Sequence, residues 1–134
     1  MKQIMLIVLL AASAAAAAVT PREMLDTYAA EAVRQSPGFQ PSARRGAEFY
    51  AKRFAVSDKM PACTACHTDS PVQPGRHAVT GKAIKPLAPR AEAARFTDPA
   101  KTEKWFRRNC TEVLGRECSA AEKADFILFL TEGL

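Results

Sequence analysis

The chain has 134 residues, a formal charge of +5 and charges of both signs spread along its length. That excludes a multidomain protein, and with no long basic run to follow a phosphate backbone it also excludes a dedicated nucleic-acid surface. Beyond the first 18 residues no stretch is apolar for long enough to span a bilayer.

Met1-Lys2 is a short positive start, Ile4 to Leu10 is an apolar core, and Ala11 to Ala18 is a run of small residues. This pattern predicts a secretory signal peptide over residues 1–18, cleaved to leave a single domain at 19–134. Lys2 leaves with it, so the mature charge is +4. The four cysteines, Cys63, Cys66, Cys110 and Cys118, all lie in the mature part. Export places them in an oxidising compartment, the periplasm of a Gram-negative cell.

Four helices are expected. Pro21 suits a first helical position, and Leu25, Tyr28, Ala29 and Ala32 share one face before Pro37-Gly38 stops the helix. A second runs from Ser42, its cap, to about Phe54, with Gly46, Tyr50 and Phe54 on one face. Residues 68–97 are read as loop, because Pro71, Pro74, Gly75, Gly81, Pro86 and Pro89 break every regular period. Asp98-Pro99 caps and opens a third helix through Trp105 and Phe106 to about Arg108. Ser119-Ala120-Ala121-Glu122 is a capping box, and it opens a last helix whose Phe126 to Leu130 is apolar nearly all round and therefore buried.

Between the second helix and the loop stands Cys63-Thr64-Ala65-Cys66-His67. Two thiols three positions apart can add to the two vinyl groups of a haem, and the adjacent imidazole reaches the iron. A thioredoxin-like redox pair would need a βαβ context, and zinc would need further Cys or His ligands at suitable spacing. Neither is present, so the motif predicts one covalently bound haem c, attached through Cys63 and Cys66, with His67 as proximal ligand. The carbonyl of Pro71 or Pro74 is the expected acceptor for the other ring nitrogen of His67. The haem also explains the long loop, because the porphyrin supplies the core that the loop wraps. The expected architecture is an all-α, small class I cytochrome c fold with an additional N-terminal helix.

The 67 residues after His67 contain no methionine; Met1, Met5, Met24 and Met60 all precede the motif. The usual sixth ligand of an electron-carrying cytochrome c is thus missing. His77 would give a bis-histidine iron, but it follows His67 by only ten residues and reads better as a loop histidine. Lys82, Lys85 or Lys104 would have to lose a proton at a cost. A water-filled position and Asn109, otherwise an ordinary helix-terminal asparagine, complete the alternatives.

Arg95-Phe96-Thr97-Asp98-Pro99, Lys104 to Cys110, and Leu114-Gly115-Arg116-Glu117-Cys118 resemble the sphaeroides haem protein family, high-spin class I cytochromes c. The resemblance covers roughly residues 40–134. It implies that Asn109, just before a disulfide cysteine, is the sixth iron ligand. Cys110 and Cys118, the two thiols left once haem has taken its pair, are the expected disulfide. Trp105, one turn before Asn109, either packs in the core or lines the distal pocket.

A neutral amide oxygen holds ferric iron weakly and ferrous iron more weakly, so Asn109 is expected to leave on reduction and admit O₂, NO or CO. The resemblance implies a redox partner as well, a dihaem c-type cytochrome with a membrane cytochrome b. The leading expectation is a periplasmic electron-transfer protein with redox-gated diatomic binding, extending to O₂ or NO reduction. The alternatives are a six-coordinate electron shuttle and a gas sensor or carrier without turnover.

Overall fold

The structure is a computed structural model and describes residues 17–134; the signal peptide expected over 1–18 lies, except for its last two residues, outside them. Among the described residues five helices and one short hairpin follow in chain order: α1 (Pro21–Gln35), α2 (Ala43–Ala51), α3 (Thr64–His67), β1 (Gly75–Arg76), β2 (Ala83–Ile84), α4 (Pro99–Leu114) and α5 (Ala120–Glu132). None of the described helices is long and apolar enough to cross a membrane.

α5 is the central element. Its capping box forms as expected, with the Ser119 hydroxyl accepting from the Glu122 amide and the Glu122 carboxylate accepting from the Ser119 amide. Ala124, Phe126, Ile127, Phe129 and Leu130 are all buried. α1 lays Met24, Leu25, Tyr28 and Ala32 into the core and packs on α5. A second capping box, from Thr20 and Glu23, starts it.

α2 crosses α5 at Gly46. A side chain there would collide with the Asp125 backbone and the Phe129 Cβ, so only glycine permits the approach. One turn on, Tyr50 packs its ring against Phe126 and Phe129. The buried Asp125 carboxylate locks this crossing, accepting from the Ser42 amide at 2.6 Å and from Arg45 Nε and Nη2 at 2.7 and 2.9 Å. A carboxylate in that position needs such partners, because burial without them would cost several kcal/mol.

Three boundaries differ from those read in the sequence. α2 stops at Ala51, and the chain turns to close a loop on the Phe54 amide and the Pro61 carbonyl, 2.7 Å apart. The expected loop contains the antiparallel hairpin of β1 and β2, with Gly75 opposite Ile84 and Arg76 opposite Ala83. α4 continues past Arg108 to Leu114, because Phe106, Cys110 and Val113 carry one buried face onward until Gly115 ends it in a left-handed C-cap.

Candidate haem site

Cys63 to His67 forms a single helical turn. The His67 amide donates to the Cys63 carbonyl at 3.0 Å and the Thr68 amide to the Thr64 carbonyl at 3.0 Å. Positions three and four apart share a helix face, so this turn puts the two thiols and the imidazole on one side. Cys63 and Cys66 are free and partly buried. Cys110 and Cys118 are joined in a disulfide, with Cα atoms 5.6 Å apart. The thiols available for thioether formation are therefore the two of the pentapeptide.

The surroundings hold this turn tightly. Gly75 lies so close that a Cβ there would strike the Cys66 carbonyl. The Ala78 amide lies 3.2 Å from the Cys66 sulfur. Tyr50 reaches from α2 and places its hydroxyl 3.1 Å from the His67 carbonyl and 2.6 Å from that of Thr68. Burial, followed by the nearby Arg95 guanidinium, lowers the His67 pKa to about 4. The ring is thus neutral at physiological pH, the form in which an imidazole binds a metal. Burial also raises the Cys63 thiol to about 11. Two free thiols and a neutral imidazole on one turn fit a covalent haem. No group of three or more His, Cys, Asp or Glu among the described residues could hold a metal ion, so the zinc reading lacks its ligands.

Of the two expected acceptors for the other His67 ring nitrogen, the Pro71 carbonyl is already engaged. That carbonyl accepts from the amides of both Leu87 and Ala88 at 2.9 Å, which uses its two lone pairs. Arg95 is half-committed: Nε donates to the Pro86 carbonyl at 2.8 Å and Nη2 to the Lys85 carbonyl at 2.7 Å. Its charge is close enough to His67 to disfavour the protonated ring.

Among the alternative sixth ligands, His77 sits in the hairpin turn. Its Nδ1 accepts from the Val79 and Thr80 amides at 3.2 and 3.1 Å. That bonding puts the ring proton on Nε2 and leaves no free lone pair for iron. Lys85 pairs with Glu92 at 2.9 Å. Lys82 and Lys104 are exposed.

Asn109 lies in the interior of α4, with five residues of the helix still to come, and not at a helix end. It is exposed, and directly before the buried Cys110. The disulfide therefore anchors the backbone at its side. Trp105 is not a core residue: it is 40% exposed and stacks under the Arg108 guanidinium at 5.4 Å, while its neighbour Phe106, 8% exposed, packs against Tyr28, Phe96 and Phe126. Trp105 and Asn109 thus share a solvent-facing side of α4, one turn apart.

A family model described as a domain of unknown function (DUF1924) matches residues 37–130. The cytochrome c-type protein SHP of Cereibacter sphaeroides is 40% identical over 112 residues, which cover 83% of this chain and 82% of that protein. The chain belongs to the sphaeroides haem protein family. Cytochrome c'' of Methylophilus methylotrophus is 46% identical over 91 residues, 67% of this chain and 63% of the relative, so the match spans just under two thirds of that protein. The solved structure of oxidised SHP, described as an oxygen-binding cytochrome c, superposes with a TM-score of 0.76 at 38% identity, covering 84% of this chain and 96% of that one. Oxidised cytochrome c'' superposes equally well, at 0.76 and 39% identity, covering 84% and 93%. The all-α cytochrome c fold expected from the sequence is thus the fold observed, in a family of haem c proteins.

Two features of the site were not found by reading the sequence. The Tyr50 hydroxyl lies on a face that periodicity reads as apolar, and Asp125 directly precedes the apolar run of α5. Each is a buried polar group, and a buried polar group must have a partner. That rule was the available signal.

Proposed function

We propose that this chain is an exported, periplasmic monohaem c-type cytochrome whose iron accepts a diatomic ligand once reduced. Cys63 and Cys66 hold the haem covalently, His67 is its proximal ligand and Asn109 its sixth. When bound, haem c would supply a one-electron couple and an iron able to take O₂, NO or CO. The residues decide how that position is used. His67 enters as a neutral imidazole on a clamped turn. Asn109 offers a neutral amide oxygen, the weakest donor among the candidates, from a helix whose backbone the Cys110–Cys118 bridge restrains. Trp105 covers the same side of α4 and limits what can approach.

The observation that carries the reading is the contrast among the candidate sixth ligands. His77 Nδ1 and Lys85 Nζ are engaged by amides and a carboxylate, and of the exposed candidates Lys82, Lys104 and Asn109 only Asn109 stands directly beside a pinned cysteine. The printed descriptions of the relatives lend support: SHP is described as binding oxygen, and a solution structure of cytochrome c'' as bearing on haem-ligand detachment. Electrons would come from a partner cytochrome, a dihaem c-type protein with a membrane cytochrome b.

Absorption spectra of both oxidation states test this directly. The expected ferric spectrum is high-spin, and the ferrous protein binds CO. A low-spin ferric spectrum with two nitrogen ligands, or ferrous protein inert to CO, contradicts the reading and favours a six-coordinate shuttle. Repeated turnover of O₂ or NO with a reductant would mark a reductase, and a single stoichiometric binding event a carrier.

A further inference from the structure

Thr68, the residue after His67, has φ 63° and ψ 177°, a conformation that belongs almost entirely to glycine. A β-branched residue holds such a backbone only where its surroundings over-determine it. Two restraints are visible. The Thr68 hydroxyl bonds locally, donating to the Ser70 carbonyl at 3.1 Å and accepting from the Ser70 amide at 3.2 Å. The Tyr50 hydroxyl, from a side chain only 3% exposed, reaches the Thr68 carbonyl at 2.6 Å.

Tyr50 is itself fixed. Its ring lies between Phe126 and Phe129 of α5, one turn after the Gly46 crossing that Asp125 and Arg45 lock. The same hydroxyl also donates to the His67 carbonyl at 3.1 Å. The helical core thus ends in one hydrogen-bond donor aimed at the backbone through which the chain leaves the haem motif.

We propose that Tyr50 is a positioning residue for His67: its hydroxyl latches the left-handed Thr68 and the His67 carbonyl to the α2–α5 crossing, and so sets the orientation of the proximal imidazole. This rests on the haem reading above. The side of the site that must keep its ligand is thereby coupled to the rigid part of the fold through a single hydrogen-bonding group.

The test uses the full-length holoprotein. Tyr50→Phe keeps the ring and removes only the donor. Its expected result is retained covalent haem with an iron–histidine stretching band, in the reduced protein, that is shifted and broadened relative to wild type. The melting temperature should fall by about 4 °C, the loss of one buried hydrogen bond in a domain of this size. Adding Thr68→Gly, which adopts the same backbone without strain, should return the band toward its wild-type position. A tyrosine that merely filled the core would show no such rescue. An unchanged band in Tyr50→Phe, or a shifted band that Thr68→Gly leaves where it is, overturns the proposal. If Tyr50→Phe does not accumulate, recovery of the double variant with a wild-type band supports the latch, and loss of both contradicts it. Wild-type protein without covalent haem would overturn the reading of the site itself, a result distinct from any of these.

Discussion

The His67 side and the Asn109 side of this site are built in opposite ways. His67 sits on a single tight turn whose backbone is gripped from three directions: by Tyr50 from α2, by Gly75 and Ala78 from the hairpin, and by the helical hydrogen bond back to Cys63. Asn109 sits in the middle of a sixteen-residue helix, solvent-facing, with only its backbone fixed through the neighbouring disulfide. A ligand that must stay is held by its whole environment. A ligand that can leave needs a fixed tether and a free end. Under the proposed function, the difference teaches that redox-gated binding would be encoded in how firmly each ligand is supported, as well as in its donor atom.

The largest effect comes from removing the firm side. Replacing Cys63 and Cys66 by Ala should abolish covalent haem, seen as loss of the haem mass on the denatured chain and of its absorption. Retention of that mass would move attachment to another pair and undo the comparison.

Next comes the tether. Cys110→Ala with Cys118→Ala removes a bridge that closes a loop of sequence separation 8, and should cost about 2–3 kcal/mol in thermal or denaturant unfolding on a chain-entropy basis. The same variant should bind CO in the ferrous state at an altered rate, because the backbone beside Asn109 is no longer pinned. An unchanged rate would reduce the bridge to a structural staple.

A smaller and pH-dependent effect tests how α4 is tied to the frame. Glu103 accepts from Lys123 Nζ at 2.8 and 2.9 Å and from the Tyr28 hydroxyl at 2.8 Å, joining α4 to α5 and α1. Burial pushes the Glu103 pKa up, but the hydrogen bonds from Lys123 and Tyr28 outweigh it and hold the carboxyl below its ordinary 4.5. A depressed folded-state pKa contributes stability that is present above the unfolded value and lost as pH falls through the folded one. Glu103→Gln should therefore lower stability by about 1–2 kcal/mol near neutrality, with a deficit that shrinks below roughly pH 4.5, as melting curves across pH would record. A deficit independent of pH would assign the loss to packing alone.

How much of this was legible in the sequence depended on whether a feature was local. The Ser119–Glu122 box and the Pro21 and Asp98-Pro99 helix starts are all set by neighbours within a few residues, and each formed where it was expected. The C-terminal end of α4 was not, because what carries the helix past Arg108 is the burial of Cys110 and Val113 against other elements. The hairpin at 75–84 was hidden by its glycines and by the prolines that flank it, and its two-residue strands give no period to detect. Asp125 and Tyr50 required knowing that α2 and α5 cross at Gly46. The order of the ligands around the iron was approached through resemblance, since one exposed asparagine carries no pattern of its own.

The smallest effect on stability should come from Asn109, although its consequence for ligand binding is direct. Alanine favours a helix interior more than asparagine by only a few tenths of a kcal/mol, so Asn109→Ala should melt within about 0.5 kcal/mol of wild type and keep its covalent haem. The ferric absorption or EPR spectrum of that variant is the measurement that decides. A changed ferric spin state, with faster binding of an added external ligand, is the predicted result. A ferric spectrum and ligand-binding rate identical to wild type would show that Asn109 does not hold the iron, and the contrast between a clamped ligand and a releasable one would fall with it.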